Sequence, residues 1–222
     1  MSQNDQVCTR CVMDTTAIDI TFDDQGQCNY CNDFINSYSS FLQKSTEQKQ
    51  LEANSFIETV KLSGIGKQYD CIIGLSGGVD SSWALVQAVK NGLRPLAVHM
   101  DNGWNSELAQ NNIANLVRTL NVDLYTHVIN WEEYKGLMQA FFDADVIDVE
   151  LLYDNAMLGV NYRLAAKHGI KYILAGTNQA TEGMKLPKKW NWFKFDKKNI
   201  KLISRKFNGP SLDTFPAFGT ID

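Results

Sequence analysis

Cys71-Ile-Ile-Gly-Leu-Ser-Gly-Gly-Val-Asp-Ser-Ser82 is the stretch whose reading decides the fold. Its first five residues are an apolar run of strand length. From Ser82 to Lys90 the apolar residues Trp83, Leu85, Val86 and Val89 recur at helical spacing. A glycine-rich turn therefore joins a buried strand to a helix N-terminus. Backbone N–H groups there lack partners and the helix dipole is positive, which favours an anion such as phosphate. Gly77 and Gly78 let the backbone approach that anion without a Cβ clash. Ser76, Ser81 and Ser82 add hydroxyl donors. Asp80 would repel phosphate directly, so its expected use is to hold a Mg²⁺ that bridges phosphate oxygens. The bland alternative is a Gly-Ser turn with no ligand.

Outward from this stretch, strands alternate with helices. Strands are predicted over 71–75, 94–101, 123–130 and 171–175, and helices over 82–90, 106–120, 131–143 and 153–168. That order predicts an α/β fold, a doubly wound parallel sheet with helices on both faces. Ligands in such sheets lie beyond the carboxyl ends of the strands. Three tips follow: Leu75-Ser76, Met100 to Trp104, and Ala175 to Asn178. Asp101 and Asn102 are either strand-end turn formers or part of the site, and Asp101 joins Asp80 as a candidate catalytic residue. His99 and His127 lie inside apolar strands and read as core histidines. His168 is expected at a helix end before Gly169, where the dipole favours a cation.

Four of the five cysteines fall as Cys8-x-x-Cys11 and Cys28-x-x-Cys31, sixteen residues apart. Two such knuckles are the pattern of a Cys₄ structural zinc site. Ile18-Asp-Ile-Thr-Phe22 alternates like a strand and Asp23 to Gly26 reads as a turn, as in a small zinc ribbon. About 30 residues bury too little apolar surface alone, so bound metal would supply the folding energy. An iron–sulfur cluster, a redox pair and unliganded buried cysteines are the alternatives. Cys71 reads as a small buried residue.

The expected organisation is a zinc-ribbon-like module over 1–33, a helical linker over 34–68 and an ATP-binding domain over 69–222. At 222 residues, 44% of them hydrophobic, the chain has enough for one α/β core plus an appendage. No apolar run approaches the length of a membrane span and no basic-apolar leader is apparent, so the expectation is a cytoplasmic protein with reduced thiols. A formal charge of −4 argues against a surface built for nucleic acid. Between Glu182 and Lys206, however, eight Lys and one Arg face two acids, with Trp190, Trp192, Phe193 and Phe195 interleaved. This segment is either a clamp for an anionic substrate or an amphipathic stretch that packs its aromatics on the core.

Ser76-Gly-Gly-Val-Asp-Ser81 resembles the S-G-G-x-D-S pyrophosphate loop of the PP-loop (ATP-pyrophosphatase) superfamily; no Lys follows the glycines as a Walker A loop requires. The resemblance implies ATP split between its α- and β-phosphates. Ser76, Gly77, Gly78, Val79, Asp80, Ser81 and Ser82 would hold the β- and γ-phosphates. The backbone at Met100 would meet the adenine edge, and Gly176 and Thr177 would lie over the α-phosphate.

Across nearly the whole chain, the Cys8 to Thr16 knuckle, Cys28-Asn-Tyr-Cys31, Leu75 to Ser82, Ala97 to Asn105, Thr126 to Trp131 and Ala175 to Gly183 together resemble one family. It is the N-acetyl sugar amidotransferases of bacterial surface-polysaccharide synthesis, lipopolysaccharide O-antigen included. The resemblance implies an ATP-dependent ligase that adenylates the acetamido oxygen of an N-acetyl sugar, nucleotide-linked by expectation. Ammonia from a separate glutaminase then displaces AMP and leaves an acetamidino group. Its implied cofactors are ATP, Mg²⁺ and Zn²⁺. Members of the family generally continue past this length, so a C-terminal region is expected to be missing. A homo-oligomer is compatible with this reading. The alternatives are a tRNA-modifying sulfur transferase and a non-catalytic nucleotide-binding subunit. A sulfur transferase usually needs spare cysteines, and after the knuckles only Cys71 is left.

Overall fold

In the computed structural model, Cys71, Ile73 and Leu75 point into one apolar cluster and Ile72 into another. Successive strand residues face opposite sides of a sheet, so this sheet is buried on both faces. The structure describes residues 6–220. Residues 1–5 and 221–222, the outer ends of the expected 1–33 and 69–222 regions, lie outside them.

The chain divides into two compact units, one of residues 1–52 with 178–192 and one of 53–177 with 193–222. In the larger unit the strands are β1 (Cys71–Gly74), β2 (Pro95–Asp101), β3 (Asp123–Val128) and β4 (Ile173–Leu174). All pair in parallel, in the order β3-β2-β1-β4. This is the α/β parallel sheet expected from the alternation. Helices α3 (Val79–Lys90) and α4 (Glu107–Leu120), with the end of α2 (Thr46–Ser63), place Val60, Leu85, Ala88 and Ile113 on one face. On the other, α5 (Trp131–Asp143), α6 (Leu151–His168) and α8 (Lys197–Lys206) contribute Leu137, Phe141, Leu152, Ala156 and Ile200. The chain leaves β1 toward β2 and returns to pair β4 on β1's other side. The order therefore switches at β1, where an open α/β sheet forms its ligand crevice.

Strand ends move for identifiable reasons. The third strand stops at Val128 because Asn130 caps α5, its Oδ1 accepting from the Glu133 N–H at 3.3 Å. The helix expected from Ser82 begins at Val79, with extended Gly78 as its N-cap. His127 is a correction: β3 is the sheet edge, so this side chain is half-buried rather than in the core. His168 does end α6, with Gly169 at φ +64° beyond it.

In the smaller unit, α1 (Asn29–Leu42) starts inside the second knuckle, so no break falls at residue 33. The strand expected over Ile18–Phe22 is absent. Asp19 takes a left-handed φ of +63° that ends extended structure, and only Phe22 bridges, to Cys28. The alternation was a packing signal instead, since Ile20 and Phe22 lie against the cysteines. The turn over Asp23–Gly26 does form, closed by the Gly26 N–H on the Asp23 carbonyl at 2.9 Å. The later segment joins this unit through α7 (Gln179–Glu182), where the Tyr38 hydroxyl donates to Gln179 Oε1.

The basic-aromatic stretch is divided at residue 192 between the two units. In the larger unit Phe195 packs, meeting Tyr162 and Phe218 edge-on at 6.3 and 5.7 Å, while Phe193 is exposed. Lys194 pairs with Asp148 and Asp154 at 2.5 and 3.0 Å. The packing alternative describes Phe195. No helix among the described residues is long and apolar enough to cross a membrane.

Candidate functional site

Packing against α4 fixes the loop after β1. Gly77 holds φ +80°, and a Cβ on it would stand 2.5 Å from the Ala109 carbonyl oxygen of α4. Glycine is therefore required twice here, by conformation and by space. Asn112, also on α4, donates to the Gly77 carbonyl at 3.1 Å. The Ser76 and Ser81 hydroxyls meet at 3.0 Å, and the Gly78 N–H donates to Ser76 Oγ at 3.3 Å. The first helical bond of α3 runs from the Ser82 N–H to the Gly78 carbonyl at 3.2 Å. The N–H groups of Val79, Asp80 and Ser81 precede it and are the open donors of the helix. Gly78 offers no side-chain cap to compete for them. Asp80 sits exposed in this first turn.

Gly176, just past β4, comes to the same place. A Cβ on it would stand 2.5 Å from Ser81 N and 2.7 Å from the Asp80 carbonyl carbon. The cradle thus has backbone on both sides, with no room for a side chain between them. Thr177 follows, exposed. On the outer side, Gly77, Gly78, Val79 and Ser82 border a cavity of about 470 Å³ shared with Asn112, Asn115, Leu116 and Thr119 of α4.

Met100 is buried at the end of β2, and its carbonyl accepts the Tyr153 hydroxyl at 3.2 Å. A carbonyl has two lone pairs, so one acceptor direction is left. Asp101 makes a turn, its Oδ1 accepting from the Gly103 N–H at 2.9 Å and Asn105 Nδ2 at 3.1 Å. Asn102 does the same for Trp104 at 3.1 Å. The turn-forming reading of both residues is thus realised in their contacts.

His99 is buried, as a core histidine should be, and it also ties two loops together. Its Nδ1–H donates to the Leu75 carbonyl at 2.8 Å, and its Nε2 accepts from Asn105 Nδ2 at 3.2 Å. A carbonyl only accepts, so the first bond sets the neutral tautomer. The chain Leu75–His99–Asn105–Asp101 links the start of the phosphate loop to the tip of β2. Its Leu75–His99 link carries no sign in the local sequence, because those two residues meet only across neighbouring strands. The same holds for Asn112.

In the smaller unit the four knuckle sulfurs lie within 4.8 Å of one another. Cys8 and Cys31 are 3.9 Å apart and Cys11 and Cys28 are 3.6 Å apart. Tetrahedral zinc with Zn–S bonds of about 2.3 Å needs sulfurs about 3.8 Å apart, so the cluster fits that ion. N–H groups point at the sulfurs: Cys28 N and Arg10 N at Cys8, at 3.2 and 3.4 Å, and Cys31 N at Cys28, at 3.5 Å. The Arg10 guanidinium reaches Cys31 Sγ at 3.6 Å. Burial opposes ionisation of Cys8, but the Arg10 and Cys28 N–H groups outweigh it and bring its thiol down to about 6. Burial pushes Cys11 up to about 12. Thiolate is the metal-binding form, and the donors favour it. Met184 closes the cluster with its sulfur 3.9 Å from Cys31. At 153 positions' separation it had no signal in the sequence. Arg10, standing between the cysteines of the first knuckle, had one.

No curated protein matches the chain. Similar solved structures include an NMN synthetase from Francisella tularensis, 20% identical over 76% of this chain and 73% of its own, with a TM-score of 0.49. An NH3-dependent NAD synthetase from Campylobacter jejuni, in complex with the nitrate ion, is 16% identical over 74% of each chain, with a TM-score of 0.48. A glutamine-dependent NAD+ synthetase from Acinetobacter baumannii, in complex with ADP, is 21% identical over 72% of this chain but 32% of its own, with a TM-score of 0.47. A family model described as NAD synthase matches residues 51–185, more than half of this sequence, and on that match the chain belongs to the NAD synthase family, PP-loop enzymes that form C–N bonds at the expense of ATP.

Proposed function

We propose that this protein is an ATP-dependent amidotransferase acting on an N-acetyl sugar carried on a nucleotide, converting the acetamido group to an acetamidino group. The observation that carries the ATP half is the start of α3, whose first N–H groups have no side-chain cap and lie beside the close-packed backbone of Gly176. Ser76 to Ser82 would hold the β- and γ-phosphates, with Asp80 on Mg²⁺ and Gly176 and Thr177 over the α-phosphate. Met100 would meet adenine. An amide carbonyl is a poor electrophile, and transfer of AMP to its oxygen makes that oxygen a leaving group. Donors at a helix N-terminus and Mg²⁺ stabilise the charge developing on pyrophosphate. Ammonia then adds to the carbon, AMP departs with the oxygen, and a proton is lost. No protein nucleophile is needed.

The sugar half rests on the motif resemblance. So does the supply of ammonia by a partner glutaminase. The zinc assignment for Cys8, Cys11, Cys28 and Cys31 rests on their spacing and on the sulfur distances. Cys71 bears on the sulfur-transfer alternative. It is fully buried in β1, and burial, with Asp70 adding, pushes its thiol up to about 12. A persulfide carrier needs an accessible thiolate.

The test is incubation of the protein with ATP, Mg²⁺, an ammonium salt and nucleotide-linked N-acetyl sugars, followed by mass spectrometry. The expected product is lighter than the sugar by about one unit, since NH replaces O, and it appears with AMP and pyrophosphate. Glutamine should replace ammonium only when a glutaminase is added. Formation of NAD from its carboxylate precursor, with every sugar unchanged, would assign the chain its family's named reaction instead. Thiolation of tRNA with a sulfur donor would establish the other alternative.

A further inference from the structure

Tyr125 and His127 alternate along the edge strand β3, so both face the helix layer that contains α6. There they meet Val160, Arg163, Leu164 and Lys167, which share one side of α6, and the six line an open cavity of about 240 Å³ in which Tyr125, Arg163 and Lys167 are exposed. Val160 and Leu164 give it an apolar floor. Every titratable group in its lining is a base or a phenol, and no carboxylate lines it. No ion pair among the described residues involves His127, Arg163 or Lys167. Arg163 spends one nitrogen on the Ala217 carbonyl at 3.1 Å.

This arrangement carries a cost. Arg163 and Lys167 are a like-charged i,i+4 pair, which weakens a helix. Burial, with the Arg163 charge behind it, holds the His127 imidazole below its ordinary range. The chain has 25 acidic residues to 21 basic ones, so acids were available to neutralise the cluster. An anion would remove the repulsion, and the Arg163 fork and the Lys167 ammonium are the groups that recognise phosphate.

We propose that this cavity is a second anion subsite, taking one phosphate group of a ligand whose ring rests on Tyr125, apart from the Ser76–Ser82 loop. Two strand spacings separate β3 from β1, roughly 10 Å across the sheet. The subsite is therefore not a second description of the phosphate loop. It takes the phosphate of a second substrate or a free phosphate ion, and it does not depend on the sugar reading.

The chain has three histidines, which makes proton NMR of the imidazoles a direct probe. The full chain is titrated with inorganic phosphate, and the His127 resonance is identified by its loss in His127→Gln. A saturable shift is expected. Its midpoint should rise about tenfold in Arg163→Gln and in Lys167→Gln, as for loss of one charge-assisted contact. Arg163→Lys should keep most of the response, and Asp80→Ala all of it. Thermal melting of each variant checks that it folds. A nucleotide-linked sugar that moves His127 at lower concentration than phosphate would show that the group belongs to a substrate. A response to inorganic phosphate alone would show a free-anion site. No saturable shift, or one whose midpoint is the same in wild type and Arg163→Gln, would overturn the subsite.

Discussion

The cysteine cluster and the phosphate loop both stand at helix starts, and they use those starts in opposite ways. At α1, Cys28 caps the helix with its own sulfur, which accepts from the Cys31 N–H. At α3, Gly78 caps with nothing, and the first helix donors stay without a side-chain partner. The first region presents side-chain sulfurs. The second offers backbone. The two also differ in what holds them up. Around the cysteines the buried apolar set is small, with Ile20, Phe22, Tyr30 and Met184 only partly covered. Under the loop lies a sheet packed on both faces. A region with so little core would draw its folding energy from a bound metal, whereas the loop is held by tertiary packing.

Metal removal should give the largest difference between the two. Chelation, or Cys28→Ser, forfeits a binding free energy on the order of 10 kcal/mol. Limited proteolysis should then cut within residues 6–52 while the sheet keeps its thermal transition. Protection of that segment without metal would break the comparison, and an iron-containing preparation would replace zinc in it.

Gly77→Ala comes next. Its φ of +80° and the Ala109 oxygen 2.5 Å from the new Cβ should cost about 1–3 kcal/mol. The melting temperature should fall and ATP binding should weaken more than about a hundredfold, measured by calorimetry. A variant that melts and binds normally would show that the loop is not preformed.

Asp80→Ala should separate stability from chemistry. The carboxylate is exposed in the first turn of α3, where a negative charge contributes less than about 1 kcal/mol. Melting should barely change, while Mg²⁺-dependent release of pyrophosphate should stop. Release of ADP and phosphate by the wild type would mean that the loop splits a different bond.

The smallest effect belongs to His127. Its folded-state affinity for a proton is lower than the ordinary value near 6.5. As pH falls through 6.5 the unfolded chain takes up this proton first, so stability is lost toward acid and is unaffected above neutrality. His127→Gln should remove that loss, by less than about 0.5 kcal/mol for a half-exposed site. Equal slopes of melting temperature against pH for the two proteins would show that neither burial nor Arg163 disfavours the charged imidazole in the folded chain.

Much of the fold was legible because its signals are local. The apolar run at Cys71 to Leu75, the turn Ser76 to Gly78 and the knuckle spacings each lie within a few residues of chain. The reading was misled where one signal serves two arrangements. Alternation over Ile18 to Phe22 described side chains packed on the cysteines, and only the left-handed backbone at Asp19 shows that no strand forms. Likewise, an apolar strand around His127 did not say that β3 lies at the edge.

By itself the sequence determined the strand–turn–helix around Ser76 to Ser82, the pairing of four cysteines in two knuckles, and the parallel α/β order, since each follows from backbone geometry over short spans. Tertiary structure alone decided that Gly77 has no space for a side chain, that Gly176 closes on Ser81, that His99 joins the phosphate loop to the tip of β2, and that Arg163, Lys167 and His127 share a cavity. Those facts depend on which strands become neighbours and which faces meet. Contacts between residues far apart in the chain leave no periodicity along it.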